Sequence, residues 1–276
     1  GIFTAIIVAI YCTELMRWLK VRHIGVNLPD QVPPMIKNSF DLLVPIVVVV
    51  LTLYPLSLVV QRETGLGIPQ AIMALFAPLV SASDSLPAIL LAVLLAHLLW
   101  FAGIHGAAIV SGILQMFWLT NLGINQSALA QGQVLPHIFV EAFWTFLVIT
   151  GGSGATMGLV CCFLFSRSAH LRTIGRLGLV PGIFNINEPI IFGLPMVLNP
   201  LMMIPFIFVP VINSIIAYGL MAFHIVGKGI IETPWTTPAP LGAALGCMDF
   251  KAAIMVICLI ILDMVLYYPF FKLLEK

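Results

Sequence analysis

Residues 184–195, FNINEPIIFGLP, place one carboxylate and two amides between long apolar runs. Pro189 has no N–H group and disfavours the α conformation at the preceding residue, Glu188. Glu188 is therefore predicted at a hairpin tip or immediately before a helix that begins at Pro189. An ionised carboxylate is expensive in hydrocarbon, so we expect Glu188 to face a cavity or a partner. Asn185 and Asn187 add hydrogen-bond donors and acceptors beside it.

The composition indicates an integral membrane protein. Hydrophobic residues make up 61% of the 276 residues, charged residues only 8%, and the mean hydropathy is +1.12. Soluble domains carry about 25% charged residues, so this chain lacks the charges for a water-facing surface. We predict an all-α, multi-pass (polytopic) helical bundle. The net charge of +1 gives no reason to expect a nucleic-acid partner.

Apolar runs of membrane-spanning length recur along the chain. Helices are predicted at residues 1–19, 41–60, 138–165, 196–223 and 252–271. A charged segment at 14–23 is predicted as an interfacial helix. Residues 25–40, rich in proline, and residues 120–137, polar but uncharged, are predicted as loops. The basic clusters at 17–23 and 167–176 are both predicted on the cytoplasmic side.

The chain opens inside an apolar run, GIFTAIIVAIYC, without an initiator methionine. This run lacks the basic flank and the small-residue cleavage site of a signal peptide. We expect it to be the end of a membrane helix, and the chain to be a piece of a longer, transporter-sized protein.

Four apolar segments are interrupted by backbone-breaking residues. The interruptions are FAGIHGA (101–107), GGSGAT (151–156), the opening stretch, and ETPWTTPAPLG (232–242). Irregular backbone cannot face lipid, because its unpaired N–H and C=O groups would be left without partners. At membrane depth it survives where it is buried in protein or lines a wet cavity, as in the substrate sites of transporters. We therefore predict re-entrant hairpins and broken helices around a substrate cavity.

Three further side chains in or beside these interruptions are candidates for that cavity. His105 lies in the first, where an imidazole can donate to and accept from a hydroxyl group near neutral pH. Trp100 precedes the first interruption and Trp235 lies in the last, and indole faces stack well on sugar rings. The structural alternatives are a Glu188 that ties two loops together, a His105 packed in the core, and tryptophans that anchor in the membrane interface.

No metal site, cofactor site or catalytic residue is predicted. His137 and Glu141 are four residues apart but lack a third ligand. The GGSG run is not followed by the Lys-Ser/Thr pair of a P-loop. The five cysteines form no C-x-x-C pair and lie in or beside apolar segments, so we expect them to pack as small hydrophobic residues.

Four stretches together resemble the membrane IIC component of bacterial phosphotransferase sugar systems, in the lactose/cellobiose/chitobiose class. They are LLWFAGIHGA, GGSGAT, LVPGIFNINEPIIFGLPMVLNP and TPWTTPAPLGA. The resemblance covers essentially all 276 residues. By this resemblance, the sequence lacks the N-terminal part of the family fold, with several earlier membrane helices. The resemblance implies a homodimer in the bacterial cytoplasmic membrane. Residues 1–38 would end an N-terminal-domain helix and form an amphipathic linker, and residues 39–276 would form a sugar-binding transport domain with re-entrant hairpins.

The resemblance also implies a function. The chain would be a permease subunit that binds a disaccharide, such as cellobiose, chitobiose or a related β-glucoside or galactoside, and carries it across the membrane. A phosphorylated IIB protein, with IIA upstream, would phosphorylate the sugar at its 6-hydroxyl, so this chain would not transfer phosphate alone. The substrate-binding residues would be Glu188, His105, Trp100, Trp235, Asn187 and Asn185.

By the same resemblance, Glu188 and His105 would engage the 6-hydroxyl, and Trp100 and Trp235 would stack on the sugar. Two other functions fit the same residues. In a proton-coupled secondary sugar transporter, Glu188 would be the coupling acid. In a membrane enzyme, Glu188 and His105 would be an acid–base pair.

Overall fold

The structure, a computed structural model, describes residues 2–22, 24–25, 40, 42–194 and 196–275. The Pro-rich segment predicted as a loop lies almost entirely outside these ranges, as do His23, Asp41, Pro195 and Lys276. The described residues form helices joined by turns, and no strand occurs among them. The predicted all-α fold is confirmed.

The helices form two successive groups along the chain: a first group of long helices and a second group with many interruptions. The first group contains α1 (Ile2–Val21), α2 (Leu43–Thr64) and α3 (Ile68–Ser83). The second contains α4 (Leu86–Phe101), α5 (Gly106–Ala130), a π-helical segment (Phe143–Val148), α6 (Met157–Leu164), α7 (Ala169–Ile183), α8 (Glu188–Gly193), α9 (Pro200–Ala222), α10 (Ala239–Cys247) and α11 (Phe250–Glu275). Short helices and turns separate α5 from α9, as the sequence interruptions predict.

The chain divides into two compact units, Gly1–Leu79 and Val80–Lys276. In the first unit α1 packs against α2, and the ring of Phe3 stacks on that of Phe76 with centroids 4.5 Å apart. The domain boundary predicted between residues 38 and 39 lies among residues that the structure does not describe, so it stays a prediction.

The second unit has an apolar core in two parts. The first part lies among α4, α5, the π-helical segment, α9, α10 and α11, and its largest buried side chains are Trp118, Phe139, Phe143 and Trp144. The second part is built mainly by α6, α7, α8 and α11, and its largest buried side chains are Phe163, Ile190 and Tyr267. Helix α11 contributes to both parts, so it joins the two halves of this unit.

Four described helices are long and apolar enough to cross a membrane, namely α2, α5, α9 and α11. A fifth span results if the bent pair α3 and α4 counts as one. Helices α2, α9 and α11 coincide with the spans predicted at 41–60, 196–223 and 252–271. The span predicted at 138–165 is divided more deeply than expected, into the π-helical segment, a turn and the eight-residue α6.

The loop predicted at residues 120–137 is wrong for most of its length, because α5 continues to Ala130. Two of the polar side chains that suggested a loop, those of Asn121 and Asn125, point into the protein. Asn121 donates to the carbonyl of Phe139 at 2.8 Å, and Asn125 donates to the carbonyls of His137 and Gly229, each at 2.8 Å. These amides satisfy irregular backbone that passes beside the helix, which a polar pattern alone does not distinguish from exposure to water.

The basic segment at 167–176 is helical from Ala169 onward, as the first part of α7. The turn before it is held by Glu275 at the end of α11, whose Oε1 accepts from Ser166 Oγ at 2.7 Å and from the backbone N–H of Arg167 at 2.6 Å. Arg172 donates to the carbonyl of Ser166. The predicted cytoplasmic location of this segment stays a prediction.

Candidate functional site

A cavity of about 400 Å³ opens inside the second unit. This volume lies within the range of small-molecule sites, roughly 300–1,000 Å³. Its walls combine aromatic rings with a few polar groups, and all six predicted substrate-binding residues are among them. The polar and aromatic residues of the lining include Trp100, His105, Ser111, Gln115, Trp118, Glu141, Trp144, Asn185, Asn187, Glu188 and Trp235.

The turn between α4 and α5 places His105 at the rim of the cavity. Helix α4 ends at Phe101, and His105 is the N-cap residue of α5. A Cβ atom at Gly106 would lie 1.9 Å from the carbonyl oxygen of Ala96. Only glycine therefore lets the start of α5 pack this closely against α4, which fixes the position of the adjacent imidazole.

The hydrogen bonds of His105 define which nitrogen faces the cavity. Its Nδ1 accepts from the backbone N–H of Ala108 at 3.1 Å. In a neutral imidazole that accepts at Nδ1, the proton is on Nε2. That Nε2 lies 3.9 Å from Oε1 of Glu188, which is too long for a direct hydrogen bond. The side chains of His105 and Glu188 are 52% and 46% exposed, so both are open to the cavity.

Glu188 is the first residue of the short helix α8, with Pro189 following it and Asn187 at the N-cap position. This is close to the predicted arrangement, which placed the helix start at Pro189. The side chains of Ile190 and Ile191, two and three residues further on, are buried at 0% and 1% exposure. Those apolar anchors hold α8 in the core, and the carboxylate at its start is left facing the cavity.

The GGSG turn at residues 151–154 forms one wall of the site and is bonded to Asn187. The Nδ2 group of Asn187 donates to the carbonyl of Ser153 at 2.5 Å and to Oγ1 of Thr156 at 2.9 Å. Gly152 has a φ of +106°, and a Cβ there would lie 2.4 Å from Cγ of Asn187. The glycine therefore allows the turn and the amide to approach each other.

Asn185 joins the turn to the segment that carries Trp235. Its φ is +63°, and its Nδ2 donates to the carbonyls of Trp235 at 2.7 Å and Thr237 at 2.9 Å. Its Oδ1 accepts from the backbone N–H of Gly151 at 3.3 Å. Asn185 and Asn187 thus make hydrogen bonds that shape the cavity wall, and their direct contact with a sugar stays a prediction.

The two tryptophans differ in their surroundings. Trp100 is only 5% exposed, and its ring packs against that of His105 with centroids 4.3 Å apart. Trp235 is 52% exposed and lines the same cavity from the interruption at residues 232–242. Trp235 therefore offers the more accessible face for stacking, whereas Trp100 mainly supports the imidazole. Their stacking on a sugar stays a prediction.

Sequence reasoning missed part of the lining. Ser111, Gln115 and Trp118 lie on one face of α5, and Gln115 donates through Nε2 to Oε2 of Glu141 at 3.3 Å. Their spacing of four and three residues is the signal of one helical face. All three residues precede the loop predicted at 120–137, but none of them lies in or beside one of the four interruptions from which the candidates are taken. Glu141 was considered only as a metal ligand.

His137, which was considered as a metal ligand, contacts a carboxylate instead. Nδ1 of His137 lies 3.2 Å from Oδ2 of Asp84, and Oδ1 of Asp84 accepts from the backbone N–H of Ile138 at 2.9 Å. Glu141 instead accepts from Gln115 and lies beside the carboxyl of Glu232. Within the described ranges, no group of three His, Cys, Asp or Glu side chains is arranged to hold a metal ion.

Comparison with known proteins identifies the family. The profile described as "Phosphotransferase system, EIIC" matches residues 1–210, which is more than half of the chain. The chain belongs to the phosphotransferase system EIIC family. The family predicted from the four sequence stretches is therefore confirmed, and with it an integral protein of the bacterial cytoplasmic membrane.

Individual EIIC relatives match along the whole chain. A cellobiose-specific EIIC component of Geobacillus stearothermophilus is 37% identical over 282 residues, covering 100% of this chain and 62% of the relative. A lactose-specific EIICB component of Staphylococcus aureus (strain N315) is 33% identical over 278 residues, covering 100% of this chain and 49% of the relative. The chain thus spans between half and two thirds of the length of these relatives.

A solved EIIC-type structure has the same fold. It is the crystal structure of the transporter ChbC, the IIC component from the N,N'-diacetylchitobiose-specific phosphotransferase system. The TM-score is 0.94 at 38% sequence identity, over 100% of this chain and 65% of that chain. The predicted bundle with broken helices is therefore confirmed as the fold of a IIC transporter.

Proposed function

We propose that the protein is the sugar permease subunit of a phosphotransferase system. It binds a disaccharide of the cellobiose, lactose or chitobiose type, carries it across the membrane and presents its 6-hydroxyl to a phosphorylated IIB protein. The relatives support this through their names, which specify cellobiose, lactose and N,N'-diacetylchitobiose. The observation that carries the proposal is the 3.9 Å separation between Nε2 of His105 and Oε1 of Glu188.

A single hydroxyl group fits this separation. A hydroxyl both donates and accepts, so it can donate to the carboxylate of Glu188 while accepting from Nε2–H of His105. At hydrogen-bond lengths of about 2.7–3.0 Å to each atom, its oxygen would lie to one side of the line that joins them. The 6-hydroxyl is the best candidate, because its exocyclic carbon can rotate and carries it beyond the sugar ring.

The same contacts suit transfer of a phosphoryl group to that hydroxyl. As the 6-oxygen attacks the phosphorus held by the IIB cysteine, the O–P bond forms, the S–P bond breaks and the hydroxyl proton passes to Glu188. A carboxylate within hydrogen-bond reach of the attacking hydroxyl is the geometry that general-base catalysis requires. His105 would hold the oxygen in place through Nε2–H.

The phosphoryl donor is proposed to come from a partner. None of the five cysteines, all of which the structure describes, lines the cavity. A reactive thiolate wants an exposed, electropositive setting, whereas Cys162 and Cys247 are buried and Cys258 lies on the membrane-spanning α11. The lactose-specific relative is named an EIICB component, which fits an IIB domain acting at this site. The same proposal includes a IIA protein that acts upstream of IIB and a homodimer of this permease subunit.

The test measures binding and transfer separately. Binding of cellobiose, lactose and chitobiose to the purified protein in detergent is measured by calorimetry. Phosphorylated IIB is then added, and sugar 6-phosphate is quantified with and without this protein. We expect at least one disaccharide to bind and its phosphorylation to require both proteins. Uptake into vesicles that depends on a pH gradient and needs no IIB would instead favour the proton-coupled transporter, and turnover of the sugar without IIB would favour the membrane enzyme.

A further inference from the structure

The cavity lining extends along α5 beyond the start of that helix. Ser111, Gln115 and Trp118 succeed one another on one face of α5, and all three line the cavity. Gln115 lies ten residues after His105, the N-cap of the same helix. At 1.5 Å of rise per residue, this places Gln115 about 15 Å further along the helix axis. The lining thus has two polar ends, one at His105 and Glu188 and the other at Gln115.

The second polar end is a hydrogen-bonded pair from two different segments. Nε2 of Gln115 donates to Oε2 of Glu141 at 3.3 Å, and both side chains are half-buried. Two aromatic rings line the same cavity, those of Trp118 and Trp144, and their centroids lie 5.7 Å apart. This is the combination of an apolar wall with a few placed polar groups that recognises a small ligand.

The pair has unused hydrogen-bonding capacity. A carboxylate offers about four acceptor sites; at Glu141 one accepts from Gln115, and the carboxyl of Glu232 also lies within hydrogen-bonding reach. The amide of Gln115 has a second N–H and a carbonyl oxygen, which supply one donor and one acceptor. A carboxylate in an apolar protein needs such partners, because its burial is otherwise costly. Neighbouring hydroxyls on a sugar ring match this set of donors and acceptors.

We propose that Gln115 and Glu141 bind the hydroxyls of the ring that is not phosphorylated, and so select a two-ring substrate over a one-ring one. The inference rests on the proposed function, because the position of the first ring is defined by the 6-hydroxyl between His105 and Glu188. With that hydroxyl in place, the second ring extends along α5 toward Gln115. Glu141 accepts from its hydroxyls, and Trp118 and Trp144 form the wall beside it.

The experiment compares two sugars on each protein. The first sugar is the disaccharide that binds the parent best among cellobiose, lactose and chitobiose. The second is the methyl glycoside of the ring that is phosphorylated, which keeps the 6-hydroxyl and lacks the second ring. The variants are Glu141→Gln and Gln115→Leu, both close in size to the original side chain. Ser127→Ala is the control, because Ser127 is exposed on α5 and bonds only to the carbonyl of Gly123 among the contacts described.

We expect Glu141→Gln to raise the dissociation constant of the disaccharide about tenfold or more. Losing a hydrogen bond to a charged group changes an equilibrium constant by more than about tenfold. Binding of the methyl glycoside should change less than about twofold on the same reasoning. Gln115→Leu should show the same selectivity with a smaller loss, and Ser127→Ala should match the parent on both sugars. Size-exclusion profiles and melting temperatures of all variants show that each is folded.

Two results would overturn the inference while leaving the proposed function intact. In the first, Glu141→Gln binds the disaccharide as tightly as the parent does. In the second, it loses affinity for both sugars equally, which would mean that Glu141 supports the whole cavity rather than one ring. If the parent binds none of the three disaccharides, the proposed function itself fails, and the inference fails with it.

Discussion

The backbone N–H of Gly154 donates to Nε2 of His97 at 2.9 Å, deep inside the second unit. Nδ1 of the same ring lies 2.7 Å from the carbonyl of Val93, one helical turn earlier in α4. The carbonyl of Gly154 accepts from the hydroxyl of Tyr267 at 2.6 Å. Helices α4 and α11 therefore hold the GGSG turn from two sides. The turn in turn holds Asn187, the residue before Glu188, through the carbonyl of Ser153.

His97→Leu should destabilise the protein, because it leaves the N–H of Gly154 buried without a partner. The expected cost is about 1–3 kcal/mol. Affinity for the sugar should fall as well, since the turn forms a cavity wall. The melting temperature in detergent and the sugar dissociation constant are the two measurements. Tyr267→Phe, which removes the bond to the carbonyl of the same glycine, should give a smaller loss of both. An unchanged melting temperature in His97→Leu would show that the turn does not depend on this bond.

Gly152→Ala should be one of the more damaging small substitutions in the chain. The added methyl would lie 2.4 Å from Cγ of Asn187, and a φ of +106° is strained for any residue with a Cβ. Backbone strain of this kind costs about 1–3 kcal/mol. Gly123→Ala is the matched control, because Gly123 is an exposed helical glycine with no atom within 4 Å of its ideal Cβ.

The control should be neutral or stabilising by up to about 1 kcal/mol, because alanine favours the helix. Thermal denaturation of the two variants and the parent in one detergent gives the comparison. Equal melting temperatures for Gly152→Ala and Gly123→Ala would contradict the tight approach between the turn and Asn187.

The two tryptophans should respond differently to replacement by alanine. Trp235→Ala should weaken sugar binding by about 1–2 kcal/mol and leave the melting temperature nearly unchanged, because the ring is half exposed. Trp100→Ala should lose stability by about 3–5 kcal/mol in addition, because the ring is buried against His105. Binding isotherms and melting curves separate the two effects. A Trp235→Ala variant that binds sugar as the parent does would favour the membrane-interface role for this residue.

The sequence predicted well those features that arise because a charged side chain or an unpaired backbone group is costly in lipid. The carboxylate of Glu188 and the irregular backbone around His105 are costly in hydrocarbon, so the location of these two side chains at a cavity follows from the sequence. Other features need the packed structure. The polarity of Asn121 and Asn125 indicated a loop, whereas these amides lie on a helix and bond to backbone carbonyls elsewhere in the chain. Their partners are remote in sequence, so no local pattern reveals them.

The same reasoning explains why part of the cavity lining was missed. Gln115 and Glu141 are 26 residues apart and meet because the chain returns beside α5 after that helix ends at Ala130. His97 had no distinguishing neighbours in sequence, and its role depends on a contact with Gly154, 57 residues later. Long-range contacts of this kind depend on the tertiary packing of the second unit.

The proposed contact between Glu188 and the 6-hydroxyl is best tested with two proteins and two sugars. The proteins are the parent and Glu188→Gln, and the sugars are the preferred disaccharide and its analogue without the 6-hydroxyl. In the parent, loss of that hydroxyl should cost about 1.5–3 kcal/mol, because a hydrogen bond to a charged acceptor is stronger than a neutral one. Glu188→Gln replaces one acceptor oxygen with an NH₂ donor and removes the charge, so it should discriminate much less between the two sugars.

His105→Ala should show a partial loss of the same discrimination, because Nε2 of His105 lies 3.9 Å from Oε1 of Glu188 and would share the hydroxyl with it. Four dissociation constants from parent and Glu188→Gln give the coupling energy between the carboxylate and the hydroxyl. Glu14→Gln, an exposed carboxylate on α1 that pairs with Arg17, is the control for a change of charge elsewhere. If Glu188→Gln keeps the full discrimination of the parent, Glu188 does not bind the 6-hydroxyl, and its carboxylate serves the structure of the turn before α8 instead.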